Sequence, residues 1–426
     1  MHRKEILPNG LTILTEEMDN IRSVSLGVWL KQGSRHESPQ ENGISHFIEH
    51  LLFKGTERRT ATDIAKTIDS IGGQCDAFTS KEYTCFYARV LDDHLPLALD
   101  LLSDIVLHPK FAPEEIEKER KVIFEEIKMV EDSPDELVYD LFTGSFWKAH
   151  PLGNPIQGTV ESVSALAPET LMRFFRESYH PGNVVIAAAG HLDQDRFSEM
   201  ARKAFGAMAG GPGDGRSGGQ GRNVAPPVYN AGIVMREKKD LEQLHLCLGV
   251  EAYPHGHAHR FTGYVMNTML GGTMSSRLFQ TIREQRGLAY TVFSSISSFA
   301  DTGYLMVYAA TRPEGGQEVL DQVCAELARL KESPIEQTEL NAAKDHLKGS
   351  LMLSLESSSS RMSNLARQDI YFGRQFTLDE IIAGIDTVTV EDVQGLARGL
   401  LVSRNCAVAA LGNLSNLQLT PDRIRF

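Results

Sequence analysis

The sequence predicts an α+β protein of two similar domains, each an antiparallel-rich sheet with helices packed on one face. Three observations carry this reading. One order of elements occurs twice; strands lead into runs of helix rather than alternating singly with them; and a glycine-dense segment, GAMAGGPGDGRSGGQGR from Gly206 to Arg222, divides the 426-residue chain nearly in half. That segment lacks an apolar period and has the composition of a linker. The boundaries expected are a first domain over 1–209, a linker over 210–223 and a second domain over 224–426.

Taken in order, the elements of the two halves match. MHRKEILPNGLTILTEE is an alternating strand pattern around a Pro-Asn-Gly turn. SVSLGVWL (Ser23 to Leu30) and LHLCLGVEA (Leu244 to Ala252) read as strands. A helix follows each: GISHFIEHLLFKGT aligns with GYVMNTMLGGT, so that Gly55-Thr56 meets Gly272-Thr273. Next come a strand and a longer helix, TCFYARV before LPLALDLLSDIV and GYLMVYAA before EVLDQVCAELARL. LAPETLMRFFRESYHPGNVVIAAAGHLD and VTVEDVQGLARGLLVSRNCAVAALGNLS close the halves alike, each an acidic-capped helix, a short loop and a buried strand ending in glycine.

Composition excludes some classes. With 42% apolar and 23% charged residues the chain is globular rather than disordered, and a net charge of -13 argues against a general nucleic-acid binder. No apolar run is long enough to span a bilayer and the N-terminus shows no apolar signal region, so the expectation is a cytoplasmic protein without a membrane partner. The five cysteines, Cys75, Cys85, Cys247, Cys324 and Cys406, are scattered without CxxC spacing, which fits a reduced protein.

The chemistry concentrates in the first half. His46 and His50 lie four apart on an otherwise apolar helix, so their imidazoles share one face, with Glu49 beside them. Zinc favours imidazole nitrogen, and a catalytic zinc takes three protein ligands and a water. The third ligand can be sought by helical phase in APEEIEKERKVIFEEIKMV (Ala112 to Val130). At about 100° per residue, Ile116, Ile123, Ile127 and Val130 form an apolar arc, with Val122 and Met129 further round on one side. Glu119 and Glu126, two turns apart, fall between these groups. Glu114, Glu117 and Glu125 point away among lysines. Either inward carboxylate could reach a buried metal.

HFIEH followed by this acidic helix resembles the inverted zinc motif H-x-x-E-H of the pitrilysin-type peptidases, the inverzincins. Size, duplicated halves and GGQCDAFTSKEYTCF (Gly72 to Phe86) resemble the branch containing mitochondrial processing peptidase and its bacterial relatives. The resemblance implies a zinc endopeptidase acting on peptides or unfolded polypeptide, with one zinc per chain on His46, His50 and Glu126, Glu49 as general base, and Glu119 orienting a histidine. In the second half Gly263, Met266 and Asn267 align with His46, Glu49 and His50, so the zinc site is not repeated. SSRLFQTIREQRGLAYTV (Ser275 to Val292) resembles the family's substrate-clamping region and assigns Arg283 and Tyr290 to the substrate near the scissile bond. The strand holding Ala77, Phe78 and Thr79 is by the same resemblance an edge to which an extended peptide adds; Asp76 stands where relatives carry asparagine. A homodimer could complete the chamber. A heterodimeric processing peptidase and a non-catalytic assembly subunit are the alternatives.

Plainer readings stand beside these. The histidines could be satisfied core residues, and Arg283 and Tyr290 a surface arginine and a core tyrosine. His255, His257 and His259 alternate, but Pro254 and Gly256 mark a loop where metal binding would be adventitious. Cys75 and Cys85 flank a hairpin turn near Ser80 as possible cross-strand neighbours. EDSPDE (Glu131 to Glu136) could select basic substrate residues or be a solvated helix end.

Overall fold

The computed structural model describes residues 2–208, 210 and 224–426, so the linker expected at 210–223 lies, apart from Gly210, outside the described residues. The first half of the chain runs β1 (His2–Ile6), β2 (Thr12–Glu17), β3 (Ser23–Leu30), α1 (Ile44–Leu52), α2 (Ala61–Asp69), β4 (Gln74–Thr79), β5 (Thr84–Leu91) and α3 (Leu95–Leu107). It continues through α4 (Pro113–Asp132), α5 (Pro134–Phe146), α6 (Val160–Ala165), α7 (Pro168–Ser178), β6 (Val184–Gly190) and α8 (Gln194–Phe205). The second half holds β7 (Ile233–Glu237), β8 (Leu244–Ala252), α9 (Arg260–Asn267), β9 (Ala289–Ser298), β10 (Gly303–Thr311) and α10 (Gly316–Glu332). It ends with α11 (Gln337–Ser354), α12 (Ser358–Phe372), α13 (Leu378–Asp386), α14 (Val390–Leu400) and β11 (Ala407–Gly412).

The two sheets repeat one topology. Their orders are β1-β2-β6-β3-β5-β4 and β7-β11-β8-β10-β9, so the second is the first without its outermost strand. In each the one parallel pair is equivalent, β2 with β6 and β7 with β11, and the other pairs are antiparallel. The α+β class and the duplication read from the sequence are what the structure shows. The first core lies between its sheet and α1, α2, α3, α4, α7 and α8; the second uses α9, α10, α11, α13 and α14 in the same way.

The expected single helical face is incomplete. Every residue of β6 and of β11 is buried, and a strand buried on both sides needs a cover on both. The second cover comes from the other half of the sequence. One compact unit comprises 1–128, 154–225 and 354–375, and the other 129–153, 226–353 and 376–426. Helix α12 thus belongs with the first sheet and α5 with the second, where the sequence halves would have assigned them oppositely. Met362, Leu365 and Ala366 of α12 pack with Leu14, Trp29 and Val185; Val138, Phe142 and Phe146 of α5 pack with Cys247, Tyr304 and Ala409.

The glycine in each Leu-Gly-Val of β3 and β8 makes this possible. A Cβ on Gly27 would sit 2.9 Å from Met362 Sδ, and one on Gly249 2.4 Å from the Phe142 ring, both closer than van der Waals contact allows. Among the described residues no helix is long and apolar enough to cross a membrane.

Candidate metal centre

Helix α1 is a core helix with one polar face. Ile44, Phe47, Ile48, Leu51 and Leu52 are at most 2% exposed, which fixes the helix against the first sheet. It begins at Gly43, whose φ of 93° is left-handed and whose Cβ, if present, would lie 2.6 Å from the Gln157 carbonyl oxygen. The buried Glu37 carboxylate caps it, accepting from the amides of Gly43 (2.8 Å) and Ser45 (2.9 Å) and from Asn42 Nδ2 (3.2 Å). Free amides at a helix start take such an acceptor readily. Burial pushes the Glu37 carboxyl up to about 7, with the hydrogen bonds from Ser45, Gly43 and Asn42 opposing.

The polar face carries His46 and His50, with ring centroids 4.6 Å apart. Helix α4 presents two carboxylates to them. Glu126 Oε2 lies 3.7 Å from His46 Nε2 and 3.5 Å from His50 Nε2, while Glu119 Oε2 lies 3.2 Å from His50 Nδ1. His50 therefore has one ring nitrogen toward each carboxylate. Glu119 is buried and Glu126 is part-exposed; Glu125, one residue away, is exposed and pairs with Lys128 at 2.7 Å. Val122 and Met129, the apolar residues further round on one side of the arc, are exposed.

The donor set fits zinc. The ligand atoms of His46, His50 and Glu126 all lie within 4.8 Å of one another, and four-coordinate zinc with bonds of about 2.0–2.1 Å separates its ligand atoms by about 3.4 Å. His46 Nδ1 is buried without a hydrogen-bond partner among the described residues, leaving its polar contact on the Nε2 side, toward Glu126. Burial, reinforced by His50, lowers the His46 pKa to about 3, so at neutral pH the ring is in the uncharged form that a metal takes.

Glu49 lies on α1 between the histidines and is mostly buried. The Thr79 hydroxyl donates to its Oε2 at 2.6 Å. Burial raises its pKa, with Thr79 and then His50 opposing, which suits a proton acceptor. Thr79 ends β4, and β4 is the edge of its sheet, so among the described residues no strand pairs with Ala77, Phe78 and Thr79 on their outer side. The Ala77 amide is already taken by Asp76 Oδ1 at 2.8 Å.

In the second unit, Arg283 lies with its Cζ 4.4 Å from the Tyr290 ring centroid and 4.7 Å from that of Phe279. Tyr290 is 75% exposed and is not a core tyrosine. The wound segment Phe279–Gln285 that carries Arg283 is tied down by Thr281, whose hydroxyl donates to the buried Glu326 carboxylate at 2.8 Å.

Three other features are open in the sequence. His257 stacks on Tyr253 at 3.8 Å, and among the described residues His46, His50 and Glu126 are the group of three that could hold a metal. Cys75 faces Ala88 and Cys85 faces Phe78, so the two cysteines are not cross-strand partners, and all five are free thiols. Glu131 pairs with Arg236 at 2.6 Å while remaining part-exposed, and Asp132, Asp135 and Glu136 are exposed, as a solvated helix end would be. The Glu37 cap, the Thr79–Glu49 bond and the Lys54–Glu119 pair escape sequence reasoning, since each depends on the path of a turn or on tertiary orientation.

Comparison with known proteins bears on family and fold. Residues 12–160 match the family model described as insulinase, peptidase family M16, and residues 165–347 match that of the peptidase M16 inactive domain. An uncharacterized zinc protease of Bacillus subtilis is 42% identical, covering 98% of this chain and all of its own. One from Mycobacterium leprae is 42% identical over 99% of this chain and 94% of its own. In fold, the chain is similar to a protease from Helicobacter pylori, with a TM-score of 0.90 at 21% identity over 97% of this chain and 99% of that one. It is also similar to a chain of complex III2 from Candida albicans, with a TM-score of 0.86 at 21% identity over the whole of both chains.

Proposed function

The chain belongs to peptidase family M16, and on that premise we propose that it is a zinc-dependent endopeptidase acting on peptides or unfolded segments, with one zinc per chain. The observation that carries this is the convergence of His46, His50 and Glu126 with Glu49 beside them. When bound, zinc supplies a Lewis acid for the scissile carbonyl and a water of lowered pKa.

The chain's own residues do the rest. His46, His50 and Glu126 hold the metal, and Glu119 orients His50 through Nδ1. Thr79 holds Oε2 of Glu49, so Oε1 is the oxygen left to take the proton of the attacking water and pass it to the leaving amine. The open edge of β4 receives the peptide main chain. Arg283 and Tyr290 are donors for a substrate carbonyl or its oxyanion. One chain carries both the metal ligands and this pair, which favours a homodimer.

Elemental analysis of the purified chain, with cleavage of an unstructured peptide pool by wild type and Glu49→Gln, tests this. The expected result is about one zinc per chain in both proteins and hydrolysis in the wild type alone. Zinc-loaded wild type without hydrolysis would leave an assembly subunit; light scattering reports the dimer.

A further inference from the structure

We propose that Lys54 is a positioning residue of the metal centre, acting through Glu119 on His50; this rests on the reading of the cluster as a zinc site. Lys54 Nζ lies 2.9 Å from Glu119 Oε1, while the other oxygen of the same carboxylate lies 3.2 Å from His50 Nδ1. The Glu119 side chain is only 6% exposed. A carboxylate that deep is held in place by what it pairs with, and each oxygen here has one charged or polar partner.

The sequence spacing builds the bridge. Lys54 follows His50 by four residues, and its amide donates to the Leu51 carbonyl at 3.0 Å, so the end of α1 anchors the lysine one turn beyond the histidine. Both side chains reach one carboxylate, His50 from the last turn of α1 and Lys54 from the turn that follows it. Glu119 and Glu126 face them from α4, seven residues and two turns apart. Lys54 thus holds Oε1, which turns Oε2 toward Nδ1 of His50. An Nδ1–H donated to that oxygen puts the proton on Nδ1 and leaves the Nε2 lone pair facing Glu126.

Removing the ammonium while keeping the stem, as in Lys54→Met, leaves Glu119 without this anchor and His50 without a fixed tautomer. Lys54→Arg retains a cation for the same carboxylate.

Two measurements on the full chain test this. The first is Co2+ affinity of the metal-free chain by visible absorption, in wild type, Lys54→Met, Lys54→Arg, Glu119→Gln and the Lys54→Met/Glu119→Gln double variant. Lys54→Met should weaken Co2+ binding about 10- to 100-fold, Lys54→Arg should restore most of it, and Lys54→Met should add little once Glu119 is gone. A lysine that merely supports folding would cost the same in both backgrounds. The second is the 15N shift pair of the His50 imidazole in the metal-free chain, which should report one Nδ1–H tautomer in wild type and a mixture in Lys54→Met. If wild type takes up no Co2+, the zinc reading fails, and the tautomer measurement still decides the role of Lys54. Unchanged Co2+ affinity in Lys54→Met, or an unchanged tautomer in it, overturns the proposal.

Discussion

The hydroxyl of Thr79, last residue of the edge strand β4, donates to Oε2 of Glu49 on α1 across 2.6 Å. This bond ties the edge strand proposed to receive a peptide to the carboxylate proposed as the general base. Thr79→Val keeps the shape and the β-branch but removes the donor, so Glu49 is free to rotate. Turnover should fall about 10- to 100-fold with zinc content and melting temperature close to wild type. Equal kcat/KM in the two proteins would show that Glu49 needs no such restraint.

Glu126 and Glu125 differ by one residue and by about 100° around α4, and one meets both histidines while the other meets Lys128. Glu126→Gln should therefore weaken zinc binding far more than Glu125→Gln, whose surface pair is worth less than about 1 kcal/mol. Competitive titration against a chromophoric chelator measures both, and matching affinities would remove Glu126 from the ligand set.

Much of this centre is legible in the sequence because helices have a fixed period. Four-residue spacing puts His46 over His50, and seven-residue spacing puts Glu119 and Glu126 on one face, so helical phase alone selects both carboxylates that the structure brings to the histidines. Strand patterns carry less. Alternation says that Ala77 and Thr79 share a side of β4, but not that this side of Thr79 meets Glu49, and it leaves the register of Cys75 against Cys85 open. The exchange of α5 and α12 is half legible: the unbroken apolar run VVIAAAG says that β6 is covered twice. An amphipathic helix, however, carries no label for the sheet it covers. Glu37 is illegible for a similar reason, since its amide partners at Gly43 and Ser45 are reached by a turn whose path the intervening residues do not specify.

The Glu37 cap gives stability a pH dependence. The side chain has a reference value of 4.5 and is raised to about 7 in the folded chain, chiefly by burial. Between those values the folded chain holds a proton that the unfolded chain has lost, so its contribution to stability falls as pH rises from about 4.5 to about 7. Glu37→Gln cannot titrate. Its stability relative to wild type should rise across that window by up to about 3 kcal/mol, whatever constant offset the lost acceptor introduces. Denaturant unfolding of the metal-free proteins at several pH values measures the difference; parallel curves would show that Glu37 titrates alike in both states.

Tyr290 separates a role in substrate binding from one in support of the fold. It is 75% exposed, and the Arg283 guanidinium sits over its ring with Cζ 4.4 Å from the centroid. Tyr290→Phe keeps the ring and its attraction for the cation, and an exposed hydroxyl contributes little to folding, so melting temperature and zinc content should not change. If the phenol donates to the peptide carbonyl or its oxyanion, kcat/KM should fall roughly 10- to 1000-fold, the range for one lost stabilising donor. Arg283→Lys should also lose activity, because an ammonium lacks the planar fork that both stacks on rings and donates in two directions. Kinetics, zinc content and melting temperature taken on the same preparations decide the matter: full kcat/KM in Tyr290→Phe would assign the cation–ring pair to surface structure and leave substrate contact to the first unit.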